Sequence, residues 1–298
     1  MSATLLPRVI VVTRPTELEL LVREHGTREQ ARFATAELGR SFDELVERER
    51  LQRDAAATVL AAVPQSWRRA RIERDDLAGF AFDPEDVVVA VGQDGLVANV
   101  AKYLREQIVV GINPDRHSYE GVLVRHAPNE ADELVRLAAA GRLACEERTM
   151  AEVVLDDGQS LRALNEVFLG HRSHQSARYR LSVDGREERQ SSSGIIAATG
   201  TGCTGWARSI ARERSAAPEP PAPGERRLVL YVREAFPAPG FGIGLTAATF
   251  GQGGVSVVSE MGEGGVVFGD GIEPDNLRFG WGRRAEIRLA AQPLRLAA

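Results

Sequence analysis

The chain has 298 residues, 43% of them hydrophobic, enough to bury a substantial core in one large domain or two of ordinary size. A formal net charge of -5 and a pI of about 5.7 supply no global basic field of the kind that draws a protein to nucleic acid or an anionic membrane, so an anionic ligand must be held locally. Two cysteines, Cys145 and Cys203, are too few for a disulfide framework or a zinc site and fit a reducing cytoplasm. An early strand-like run at 9–12 leaves no room for a charged leader with an apolar core, and no apolar run approaches spanning length; the expectation is a cytoplasmic chain with no membrane partner.

In chain order, residues 8–13 form a β-branched run that reads as a strand. A charged stretch over about 28–62 carries helical spacing, with Phe33, Leu38, Phe42, Leu45 and Leu51 among its apolar positions. A strand is expected at 87–91, a helix over about 97–106, and a further strand at 108–112 that ends in Asn113-Pro114-Asp115. Such alternation predicts a parallel sheet covered on both faces, with ligands at the carboxyl ends of the strands, where Asp94 and Asn113 fall. Beyond about 146 the pattern turns to short strands at 151–155, 163–169 and 177–183, with Asp156-Asp157-Gly158 and Asp184-Gly185 at hairpin-turn positions. The proline-rich segment 215–224 reads as an exposed, semi-extended loop, and strands follow at 228–232, 254–259, 265–268 and 285–289. The expected fold class is α/β + β. A Rossmann-like α/β phosphate-binding domain covers 1–146 with about 275–298, and a β-rich, sandwich-like domain covers 147–274, with the active site in the cleft between them.

Three stretches carry chemistry. Gly92-Gln93-Asp94-Gly95-Leu96 follows a buried strand and precedes a helix, so backbone N–H groups and the helix N-terminus can face a phosphate. Asp94 suits a general base or a partner of Mg²⁺ beside phosphates, though taken alone the motif favours an ordinary Asp-Gly turn closing a strand, because short glycine motifs match by chance. Asn165 and Glu166 pair an amide with a carboxylate that accepts from ribose hydroxyls or an adenine amino group; the alternative is a polar strand end satisfied by backbone. In Thr199-Gly200-Thr201-Gly202-Cys203-Thr204-Gly205, glycines permit close backbone approach and hydroxyls supply small donors, which favours a ligand loop over a flexible turn; a helix is expected at about 206–212.

Together these features resemble the NAD kinases, and among them the mitochondrial type. That branch has Leu-Asn-Glu-Val-Phe where this chain has Leu164-Asn165-Glu166-Val167-Phe168, and a Ser-Ser-Gly strand leading into Thr-Gly-Thr-Gly, mirrored by Ser192-Ser193-Gly194 and Thr199 to Gly202. Val110-Gly111-Ile112-Asn113-Pro114-Asp115, Val232-Arg233-Glu234 and Phe268-Gly269-Asp270-Gly271 resemble further segments of that family. The resemblance implies transfer of a phosphoryl group from ATP, with Mg²⁺, to the 2′-hydroxyl of the adenosine ribose of NAD. It makes Asp94 the catalytic carboxylate; Gly92, Gln93, Gly95 and Leu96 the phosphate loop; and Asn113, Asn165, Glu166, Thr199, Thr201, Gly202 and Thr204 the substrate contacts. It further implies a homo-oligomer, as a dimer. The family motif is Gly-Gly-Asp-Gly-Thr, so Gln93 and Leu96 are departures; a kinase of the same fold for another hydroxyl compound, or a non-catalytic nucleotide sensor, are the alternatives these departures suggest.

Among weaker candidates, His171 and His174 lack an evident third ligand for a metal. Arg172, Arg178 and Arg180 suit either a pyrophosphate or an exposed arginine-rich strand face. Gly240 to Gly244 lacks the strand-before, helix-after context of a dinucleotide fingerprint.

Overall fold

Branched residues crowd the first strands of the chain, and in a computed structural model, which describes residues 6–298, they assemble into a parallel sheet. The elements run β1 (Arg8–Thr13), α1 (Glu17–His25), α2 (Arg28–Glu37), α3 (Phe42–Ala62), β2 (Arg68–Glu73), β3 (Val87–Val91), α4 (Asp94–Ala101), β4 (Ile108–Ile112), α5 (Ala131–Ala139) and β5 (Cys145–Arg148). They continue with β6 (Ala151–Leu155), β7 (Ser160–Ala163), β8 (Glu166–His171), β9 (Ala177–Val183), β10 (Arg186–Ser192), β11 (Ile195–Ala198) and α6 (Trp206–Arg212). The last are β12 (Leu228–Val232), β13 (Ala247–Phe250), β14 (Val255–Ser259), β15 (Gly265–Gly269), β16 (Leu277–Arg278), β17 (Arg284–Leu289) and β18 (Leu294–Ala297). Two compact units result. The first holds the chain up to Val100, Glu106–Glu146 and Arg295–Ala298; the second holds Ala101–Arg105 and Glu147–Leu294.

The sheet of the first unit has the order β2-β1-β3-β4-β18-β5. Ala55, Ala56 and Val59 of α3 and Ala131, Leu134 and Val135 of α5 form one cluster with Val9, Val11, Val89, Val91, Val110 and Ile112. The alternate residues Ile10, Val12, Val88, Ala90 and Val109 are equally buried, so these strands read as continuous apolar runs because both faces are covered. The helical stretch expected over 28–62 is two helices. Gly39 takes a positive φ of 66° after α2, and the Ser41 hydroxyl then accepts from the Glu44 N–H to start α3. Helix α1 was not anticipated, although Thr16 and Glu19 form a reciprocal capping box that Thr-x-x-Glu announces in sequence.

The second unit packs two six-stranded sheets, β10-β9-β14-β17-β6-β7 and β13-β12-β11-β8-β15-β16. Tyr179, Leu181, Val257 and Ile287 from one meet Val167, Leu169, Ile195 and Leu230 from the other in a single core, which is the sandwich expected. Helix α6 covers the outer face of the second sheet, packing Trp206 and Ala207 against Phe168, Ile196 and Phe268. Asp184 and Gly185, both at positive φ, make the β9–β10 hairpin turn. The strand expected over 163–169 is broken at Leu164 and Asn165 into β7 and β8, which places those residues at a corner. The return to the first unit, expected from about 275, begins at Arg295: β16 pairs with β15 and β17 with β6 and β14, so the second unit's sheets claim them. The proline-rich segment is exposed along most of its length, but Pro221 is buried.

Candidate functional site

In the first unit, β3 breaks at Gly92 and α4 begins at once, so Asp94 is the first residue of that helix, not part of a turn ahead of one beginning near 97. The Asp94 carboxylate accepts three main-chain hydrogen bonds: Oδ2 from the Val122 N–H at 2.9 Å, and Oδ1 from those of Leu123 at 2.7 Å and Val124 at 3.1 Å. The same loop lies directly on β4, where a Cβ at Gly111 would stand 2.1 Å from the Leu123 carbonyl oxygen. Asp94 is thus the anchor of residues 122–124. A carboxylate offers about four acceptor positions, so one remains open.

Asn113, at the end of β4, is buried and already engaged. Its Nδ2 donates to the Tyr119 carbonyl at 3.0 Å and its Oδ1 accepts from the Asp115 N–H at 2.9 Å, shaping the loop that carries Tyr119. The Tyr119 and Gln93 side chains line the same pocket, and burial together with Asp115 raises the Tyr119 pKa. Gln93 is exposed, and its Oε1 accepts from Arg14 Nη2 at 3.2 Å. Leu96, expected on the phosphate, is fully buried, and its N–H donates to the Gln93 carbonyl; it has no polar group to offer. A Cβ on Gly92 would meet the Leu96 side chain at 3.2 Å, whereas one on Gly95 would meet nothing within 4 Å.

In the second unit, the corner ahead of β8 is held from below by Asp270, whose carboxylate accepts from the N–H groups of Leu164 at 2.8 Å, Asn165 at 2.7 Å and Glu166 at 3.3 Å. Asp270 sits at a φ of 53° directly after β15, a left-handed position that aspartate tolerates. Burial pushes the Asp270 carboxyl up to about 6 despite those three donors, and burial with the Asp270 charge pushes Glu166 up to about 7. Asn165 and Glu166 are half-buried, so their side chains stay within reach of a ligand.

The threonine-glycine loop works differently from the sequence expectation. Thr199 is fully buried; its hydroxyl donates to the Leu164 carbonyl and accepts from the Gly202 N–H. Thr201 is buried with its Oγ1 accepting from Arg148 at 3.3 Å, while Thr204 is exposed and donates to the Thr201 carbonyl at 2.9 Å. A Cβ on Gly202 would stand 2.1 Å from the Asn165 carbonyl oxygen, and one on Gly200 would stand 2.3 Å from that of Ala222. The loop's glycines and buried hydroxyls therefore press it onto the Asn165 corner. Beside it, a cavity of about 700 Å³ is lined by Phe168, Trp206, Arg172, Arg233 and Arg278, with the Phe168 and Trp206 rings stacked at 5.9 Å. Arg178 and Arg180 lie on the exposed face of β9.

Sequence reasoning missed Asp270, Arg14 and Tyr119 as parts of these sites. Asp270 had a signal in the Asp-Gly turn that follows a buried strand; Arg14 and Tyr119 had none, because only the fold brings them to Gln93.

A parallel sheet with a glycine loop opening a helix, followed in the chain by a sandwich that presents a buttressed Asn-Glu corner, is the fold of the NAD kinases. Yeast NADH kinase, solved with NADH, matches with a TM-score of 0.59 and 14% identity over 99% of this chain and 84% of that one. An NAD kinase from Archaeoglobus fulgidus, solved with ATP, matches with a TM-score of 0.56 and 20% identity over 98% of this chain and 93% of that one. In sequence the chain is similar to mitochondrial NAD kinase 2 of Rattus norvegicus, 27% identical over an alignment 271 positions long that covers 71% of this chain. That alignment spans 62% of the rat protein, less than two thirds of its length. No family model matches the chain.

Proposed function

We propose that the chain is an NAD kinase, moving the γ-phosphoryl group of ATP to the 2′-hydroxyl of the adenosine ribose of NAD to give NADP and ADP. The observation that carries this reading is the pairing of the NAD kinase fold with an Asn165-Glu166 corner held by Asp270 and Gly202. In the step, a bond forms between the 2′ oxygen and the γ-phosphorus, the β–γ bridging bond breaks with its electron pair leaving on ADP, and the 2′ proton passes to a base. Asp94 is the proposed base, through the acceptor position its loop leaves open. Asn165 and Glu166 are the proposed contacts to the acceptor nucleotide, and the arginine-lined cavity beside Trp206 supplies positive charge for its pyrophosphate.

Mg²⁺ would neutralise charge on the donor's phosphates. Such an ion would arrive on the nucleotide and keep phosphate and water ligands; among the described residues no group of three or more His, Cys, Asp or Glu side chains is arranged to hold a metal. Among the described residues no helix is long and apolar enough to cross a membrane. A cytoplasmic homodimer is the assembly proposed. The reading that competes is nucleotide binding without turnover, favoured by the three amides already on Asp94.

The test is incubation of the purified chain with ATP, Mg²⁺ and NAD, with NADP read by an NADP-specific dehydrogenase and Asp94→Asn as control. NADP formation that depends on Asp94 is expected. Binding of both nucleotides without NADP would establish the non-catalytic reading instead.

A further inference from the structure

Gln93 stands where the resembled motif has its second glycine, and its side chain points into a small pocket at the carboxyl ends of β1, β3 and β4. The pocket has a volume of about 110 Å³ and is lined by Arg14, Arg48, Gln52, Gly92, Gln93 and Tyr119 among others. Water occupies about 30 Å³ per molecule in the liquid, so this is room for a phosphate group and too little for a nucleoside.

The lining sets Arg14 and Arg48 against the carboxylates of Glu17 and Asp115, and the guanidinium not committed to a carboxylate is that of Arg14. Glu17 is paired with Arg40 at 2.5 Å and Arg48 at 3.6 Å, and Arg48 also faces Glu44 at 3.8 Å. Asp115 accepts from the His117 and Ser118 N–H groups, both at 3.2 Å. Among the described residues no carboxylate pairs with Arg14, whose hydrogen bond goes to the neutral Gln93 Oε1. A guanidinium with one N–H tied to an amide oxygen keeps the rest of its fork for an anion. Gln93 and Tyr119 line the pocket together, and the Asn113 amide at the end of β4 holds the Tyr119 main chain, so the wall opposite Arg14 is fixed from β4.

We infer that Arg14 contacts the anionic phosphate chain of the phosphoryl donor and that Gln93 is its positioning residue, holding the guanidinium beside the glycine loop. The inference rests on the kinase reading of that loop. The ligand chemistry is a polyphosphate tail, carried by a nucleoside triphosphate or by inorganic polyphosphate. The arrangement supplies a charged donor where Leu96 has none. Because Arg14 is exposed, the contact weakens as salt screens it.

Calorimetric titration of the full chain with ATP, and separately with inorganic tripolyphosphate, both without NAD, tests this. Arg14→Gln should weaken binding by about tenfold to a hundredfold, the loss of a charge-assisted hydrogen bond, and Arg14→Lys by less. Gln93→Ala should cost several-fold, and that cost should vanish in the Arg14→Gln background, as coupling of a positioning residue to its target requires. Losses for both ligands, or for tripolyphosphate alone, support the contact, the second outcome identifying inorganic polyphosphate as the donor. Loss for ATP alone would place Arg14 on the nucleoside and overturn the assignment, as would Arg14→Gln with unchanged affinity; additive effects of the two substitutions would remove Gln93 from its role. A wild-type chain that binds neither ligand overturns the kinase reading itself, which separates that failure from failure of this inference alone.

Discussion

Asp94 carries a structural load whatever its part in turnover, because three N–H groups of one loop converge on its carboxylate. Asp94→Asn sets an NH₂ group against at least one of those donors. The variant is expected to lose NADP formation and also about 1.5–3 kcal/mol of stability, the range for hydrogen bonds to a charged group. Thermal melts beside the activity assay check this, and an unchanged melt would show that the loop does not depend on the charge. Glu166 gives a pH prediction with a definite sign. Its carboxyl is raised from 4.5 to about 7 by burial, so the folded state holds its proton more tightly than the unfolded chain. The stability this contributes is complete below about 4.5 and is lost as pH rises through about 7. Glu166→Gln should therefore match the wild type near pH 4.5 and exceed it at pH 8 in denaturant unfolding without ligand; a gain at acid pH instead would contradict the assignment.

At the scale of elements, two glycines that look alike in sequence have opposite duties. Gly202 lets the threonine loop lie on the backbone at Asn165, with no space for a Cβ. Gly202→Ala should cost about 1–3 kcal/mol and weaken NAD binding, since the Asn165 corner must shift to admit the methyl group. Gly95 lies in the first turn of α4 with open space around it, so Gly95→Ala should be neutral or stabilise the helix by about 0.5–1 kcal/mol. Unfolding curves and NAD titrations of the two variants distinguish packing from phosphate contact as the reason for each glycine. Element ends were the least legible part of the chain. The break between α2 and α3 is written in Gly39 and Ser41, yet the apolar spacing runs across it, and the spacing signal outlasts the cap signal. Helix α4 starts at Asp94, where a glycine-rich segment disguises its first turn.

For the whole molecule, the C-terminal strand matters beyond its length. β18 lies between β4 and β5 in the first unit's sheet, with Arg295 opposite Ile108 and Leu296 opposite Val109. Leu296 is fully buried, so Leu296→Ala should cost about 2–5 kcal/mol at a position only two residues from Ala298. Equilibrium unfolding checks it, and a loss under 0.5 kcal/mol, the scale of a surface change, would mean the strand is dispensable. By itself the sequence determined β1, β3, β4, β6, β9, β12, β14, β15 and β17, the α/β to β-rich change near residue 146, the hairpin at Asp184-Gly185, and α6, because hydrophobic period and turn chemistry are local properties. It also marked Asn165 and Glu166, whose side chains remain within reach, but it could not tell them from Thr199, Thr201 and Asn113, whose polar groups the fold consumes. Tertiary structure alone decided that β18 returns to the first sheet, that Asp270 buttresses a corner more than 100 residues earlier, and that Arg14 meets Gln93. A hydrogen bond's partner is set by where distant segments meet in space, and no periodicity along the chain records it.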